Sequence, residues 1–195
     1  MECNSEIEKV RNEVLRKLGR NLLIFQHIET SLKFIVANSN VSGYLSEIMD
    51  VRTHQQEVYR KKMMGQLIDP FLAELYGAVR EFKEGSEREE IGVSFSFRCE
   101  VDASADVVEK RRASLEMVIR ERNELVHHFF QRVQQNSKEC WLDAEVYLDD
   151  QRGRVLPELS YLQSYIRTYG EVQELYQRFL ESDQWEKLLE DAFEG

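Results

Sequence analysis

Arg122, Asn123, His127 and His128 fall within the stretch Arg-Asn-Glu-Leu-Val-His-His and carry groups suited to work on a phosphodiester. Imidazole is the side chain that ordinarily titrates nearest neutrality. His127, or His128 beside it, is therefore a candidate to take or give the proton of a ribose 2′-hydroxyl. The forked donors of Arg122 suit the charge that builds on the scissile phosphate. The Asn123 amide suits orienting a His tautomer or donating to a phosphate oxygen. These residue types fit metal-independent transfer to a 2′,3′-cyclic product, with His127 ranked ahead of His128.

The other reactive side chains make weaker sites. His27 and His54 have no partner at ligand spacing, and neither His-x-x-x-His nor His-Glu-x-x-His occurs, so no metal or other cofactor is expected. Gly19, Gly43 and Gly65 are isolated, which leaves no phosphate-cradling loop. Cys3, Cys99 and Cys140 form no Cys-x-x-Cys pair and are odd in number, so a reducing compartment is expected rather than a disulfide framework. Cys99 reads as packed rather than reactive.

Arg122 followed directly by Asn123, with His127 five positions after the arginine, resembles the signature of the HEPN superfamily (higher eukaryotes and prokaryotes nucleotide-binding). The resemblance spans roughly residues 104–134 and extends to the long first helix. It implies an all-helical bundle, a metal-independent endoribonuclease of a toxin–antitoxin or phage-defence kind, and a homodimer in which two motifs meet. Residue for residue, it assigns Arg122, Asn123 and His127 as the functional positions.

The elements that must hold this motif are mostly helical. Ile7, Val14, Leu18, Phe25, Ile28, Leu32 and Ile35 recur by threes and fours, so one helix is expected over about 5–38, opened by a Ser5–Glu8 capping box. A second is expected from about Ser42 to Met64, ended by Gly65, and a third from Asp69-Pro70 with Leu72, Leu75, Val79 and Phe82 inward. Glu81–Glu90 reads as a charged loop. Ile91–Val101 alternates apolar and polar residues and reads as a strand. Its partner is expected at Trp141–Leu148, if that segment is not a helix, or across a dimer.

The motif helix is expected over about 104–134, with Val108, Leu115, Val118, Ile119, Leu125, Val126, Phe129 and Val133 buried. Helices near Leu156–Leu180 and Asp183–Phe193 follow a turn at Gln151–Arg154. The fold class is therefore mainly α: a bundle with two long helices, a short strand or hairpin near 91–101, and C-terminal helices. Residues 1–138 are expected to form the HEPN-like bundle, with 139–195 an acidic helical extension packed on it.

At about 100° per residue, Asn123 and His127 share a face, whereas Arg122 points about 140° away from His127. A straight helix then brings the two together only if its end is distorted or if they come from different protomers. Arg122 on an apolar stripe also suits pairing with a buried carboxylate, and a His pair near a helix end also suits the helix dipole.

The net charge of −10 is uneven: residues 139–195 hold 14 acidic against 5 basic side chains. A pI near 5 argues against nucleic-acid binding by bulk charge. Local basic groups remain: Arg60-Lys61-Lys62, and Lys110-Arg111-Arg112 with Arg120. Arg112, Arg120, Arg60 and Lys61 are the expected RNA phosphate contacts if these groups flank the Asn123/His127 face. No apolar run approaches the ~20 residues of a membrane span, and the first residues lack a secretory signal, so a cytoplasmic protein is expected. The competing expectation is a catalytically inactive interaction module, or an antitoxin-like protein binding a partner through its acidic third.

Overall fold

The computed structural model describes residues 2–44, 47–77, 94–133, 137–185 and 187. Helix α1 (Glu2–Asn38) leads into strand β1 (Asn40–Tyr44), helix α2 (Ile48–Arg60) and a 3₁₀ turn (Met64–Leu67). Helix α3 (Ile68–Tyr76), strand β2 (Ser94–Arg98) and the long helices α4 (Ala105–Arg132) and α5 (Lys138–Leu180) follow. The protein is mainly α, as the periodicity predicts.

The periodicity of α1 buries Val14, Phe25, Ile28, Leu32 and Ile35. These join Leu67, Phe71 and Leu75, then Leu115, Val118, Leu125 and Phe129 of α4, and finally Trp141, Leu148, Val155 and Leu162 of α5, in a single core. Cross-helix partners fix the directions. Lys138–Glu6, Lys17–Glu145 and Asn21–Gln151 keep a nearly constant sequence offset, so α1 and α5 run parallel. Arg111–Glu158 and Gln151–Glu121 have a nearly constant sum instead, so α4 runs antiparallel to α5. Since α1 and α5 are parallel, α4 is antiparallel to both.

Several expected boundaries are corrected. Helix α1 is already helical at Glu2, so Ser5 lies inside it rather than capping it. Residues 42–44 are strand, not helix: β1 pairs antiparallel with β2, Val41 opposite Phe97 and Gly43 opposite Phe95. The alternating strand thus finds its partner within the chain, in a segment whose pairing overrides local preference. Trp141–Leu148 is helical, with Trp141, Ala144 and Leu148 buried at helical spacing. On α2, Met49 and Val58 are exposed, while Tyr59 packs against the core.

Helix α3 begins at Ile68, with Leu67 in the cap position that Asp69 was expected to fill. Pro70 still sits in the first turn, where amide hydrogens have no helical acceptor to lose.

The expected turn at Gln151–Arg154 does not exist, because α5 is continuous through it. Gly153 and Pro157 are both exposed and stand four apart. The hydrogen bond that proline removes is the one to the Gly153 carbonyl, on a face open to water, where solvent can take its place. Val79, Phe82, Glu81–Glu90 and most of Asp183–Phe193 lie outside the described residues.

The two-stranded sheet is tied to α5 by Tyr165. Its hydroxyl donates to the Cys99 carbonyl at 2.9 Å and lies 3.0 Å from Ser39 Oγ. Phe97 meets Tyr169 edge-on at 5.6 Å.

Candidate functional site

Helix α4 is unbroken from Ala105 to Arg132, so the motif sits on a regular helix without the distortion that one resolution of its geometry required. Its phase is set from below. Gln151 of α5 is completely buried, and its Nε2 donates to the Glu121 carbonyl at 3.0 Å, Glu121 Oε2 at 3.1 Å and Tyr147 Oη at 3.1 Å. Its Oε1 accepts from Asn21 Nδ2 at 3.1 Å. Arg154 Nε donates to Glu121 Oε1 at 2.6 Å. A buried, satisfied polar layer thus grips α4 at the residue preceding Arg122, and such layers fix helix register where apolar packing alone is permissive.

Above that layer, Arg122 is half-buried and donates from Nη1 to Asn123 Oδ1 at 3.2 Å. No carboxylate pairs with it among the described residues, so the structural role of neutralising a buried acid is not filled by Arg122. Asn123, His127 and His128 are exposed. The two imidazoles contact edge-on, with ring centroids 6.3 Å apart. No hydrogen bond joins Arg122 to His127 among the described residues.

The basic groups, with the expected phosphate contacts Arg112, Arg120, Arg60 and Lys61 among them, divide. Arg111 is taken up in the core: its Nη1 donates to both carboxylate oxygens of Glu158 at 2.7 Å, and its guanidinium lies 3.5 Å from the Tyr161 ring centre. Arg112 pairs with Asp69 of α3 at 2.7 Å. Arg120 lines a cavity of about 300 Å³ together with Glu121, Glu124 and Arg154, a mixed-charge setting rather than a basic one. Arg111 and Arg112 therefore meet carboxylates of other helices that the charge pattern of α4 alone did not reveal.

Arg60 and Lys61 are exposed and have no carboxylate partner among the described residues. The 3₁₀ turn that follows them packs on α4, where a Cβ at Gly65 would lie 3.8 Å from Ile119 Cδ1. Ile119 is one helical turn before Asn123. Chain length keeps Lys61 within about 14 Å of that contact.

Phe130 was not anticipated. It is 61% exposed, and Val126 beside it is 46% exposed although the apolar stripe had assigned it to the core. The signal was present in the sequence: Phe129 is in phase with Leu115, Val118 and Leu125, whereas Phe130 points about 100° away from it. Buried Phe129 holds the Phe130 ring edge-on at 5.3 Å. Among the described residues, no cluster of His, Cys, Asp and Glu is arranged to hold a metal ion, and no helix is long and apolar enough to cross a membrane. No protein-family model, curated protein or solved structure matches the chain.

Proposed function

We propose that the protein is a HEPN-like, metal-independent endoribonuclease that acts as a homodimer, in a toxin–antitoxin or phage-defence setting. One observation carries this reading. Among the described residues Arg122 has no carboxylate partner and is bonded to Asn123, on a regular helix whose adjoining face exposes His127. An arginine kept only for stability would be expected to neutralise a buried acid; this one keeps donor positions open toward solvent.

In this reading His127 exchanges the 2′-hydroxyl proton, Arg122 stabilises the phosphate charge, and Asn123 orients. Arg60 and Lys61 supply backbone contacts. Because α4 is straight, Arg122 and His127 of one chain diverge, so the working pair is formed by Arg122 of one protomer and His127 of the other.

The test is cleavage of single-stranded RNA by purified protein in EDTA, alongside Arg122→Ala and His127→Ala. Loss of cleavage in both variants, with unchanged melting, supports the proposal. Equal activity in all three proteins, or none in the wild type, refutes it. A second reading, a catalytically silent interaction module, draws on the exposed apolar pair Val126 and Phe130; in that case the wild type would not cleave.

A further inference from the structure

We infer that Phe130 is a base-stacking platform, so that the substrate is RNA with an unpaired, unstacked base next to the scissile phosphate; this rests on the ribonuclease reading above. Phe130 lies three residues after His127 and seven after Asn123, so the three side chains share one exposed face of α4. The ring is 61% exposed, and its orientation is supported by edge contact with buried Phe129 at 5.3 Å. An aromatic ring presented to solvent one turn from a candidate proton-transfer group offers a π-face to any base, and its helix holds it in place before the ligand arrives.

The charges around it favour a polyanion over an acidic or neutral protein surface. From Ile119 to Gln131, α4 carries two carboxylates, Glu121 and Glu124. Both line the cavity on the other flank of the helix, and Glu121 is bound there by Gln151 and Arg154. Between Asn123 and Phe130 the α4 residues on that face, Val126 and His127, carry no negative charge, and Glu116 lies on the same side two turns before Asn123. Arg122 borders it on one side, and the Arg60-Lys61 stretch approaches its N-terminal end through the Gly65–Ile119 contact. A base-paired duplex keeps its bases stacked inside and cannot offer one to this ring, which sets single strands apart as ligands.

The experiment uses the whole protein and a non-cleavable 2′-O-methyl RNA 12-mer containing one 2-aminopurine, single-stranded or annealed to its complement. The wild type is expected to bind the single strand and quench 2-aminopurine, and to bind the duplex more weakly. Phe130→Leu, apolar but not aromatic, is expected to lose the quenching and about tenfold in affinity, while Phe130→Trp retains both. Solution mass is measured on each variant.

Quenching and affinity in Phe130→Leu equal to the wild type overturn the inference. So does a change of mass with unchanged probe affinity, which would make the patch a protein interface. In either case the ribonuclease reading still stands if Arg122→Ala and His127→Ala abolish cleavage. A wild-type protein that neither binds the probe nor cleaves RNA overturns both.

Discussion

Replacing Gln151 by alanine should destabilise the protein far more than replacing the arginine it indirectly supports. The Gln151 amide is completely buried and makes contacts with Asn21, Glu121 and Tyr147, all at 3.0–3.1 Å. Its two N–H hydrogens serve three acceptors, so with the bond accepted by Oε1 about three full hydrogen bonds are lost. At about 1 kcal/mol each this amounts to about 3 kcal/mol, and the space left behind adds to the loss. For a chain of this size the melting temperature should fall by about 6–12 °C.

The assay is thermal and urea unfolding followed by circular dichroism, with an unchanged urea dependence showing that the denatured state is the same. A double-mutant cycle with Asn21→Ala should give a coupling of about 1 kcal/mol, since that pair shares one bond. Arg122→Ala should shift stability by less than about 1 kcal/mol, because its hydrogen bond goes only to its exposed neighbour Asn123. A Gln151→Ala loss below about 1 kcal/mol, or a larger loss for Arg122→Ala, would show that the polar layer does not hold α4.

Glu158→Ala should destabilise by about 3 kcal/mol, because it strands the Arg111 guanidinium against Tyr161; Arg111→Met with Glu158→Leu should recover most of this in the same denaturation assay. Gly153→Ala should stabilise by about 0.5–1 kcal/mol, since an added Cβ meets nothing within 4 Å in mid-helix, whereas a genuine turn at this point would give no gain in the melt.

Lys17 and then Arg20 hold the Asp149 carboxyl below its usual range, so its contribution is present above about pH 4 and is lost as pH falls through the depressed folded value. Asp149→Asn should flatten the acid limb of melting temperature against pH, and a limb parallel to the wild type would sink that assignment. Asp149 and then Glu145 raise the Lys17 ammonium, so its share persists below about pH 10 and is lost at higher pH; Lys17→Met should flatten the alkaline limb.

Helix identity was legible in the chain because burial repeats at the period of the helix itself. The stripe from Val14 to Ile35 and that from Leu115 to Phe129 could be read without neighbours, and so could the alternation that marks β2, although the strand ends at Arg98 rather than Val101. The divergence of Arg122 and His127 was equally local, since it follows from residue count alone. What the sequence left open were properties that belong to pairs of distant segments. The partner of β2 is Asn40–Tyr44, because pairing depends on which chains meet and not on either strand alone. The continuity of α5 through Gly153 and Pro157 depends on the burial of Val155 and Leu159 against neighbouring helices, which outweighs two poor helix formers on an exposed face. The fates of Arg111 and Arg112 were set by Glu158 and Asp69, carboxylates whose proximity no local pattern encodes. Tertiary structure decided which cations remain available, because charge pairing acts through space whereas periodicity acts along the chain.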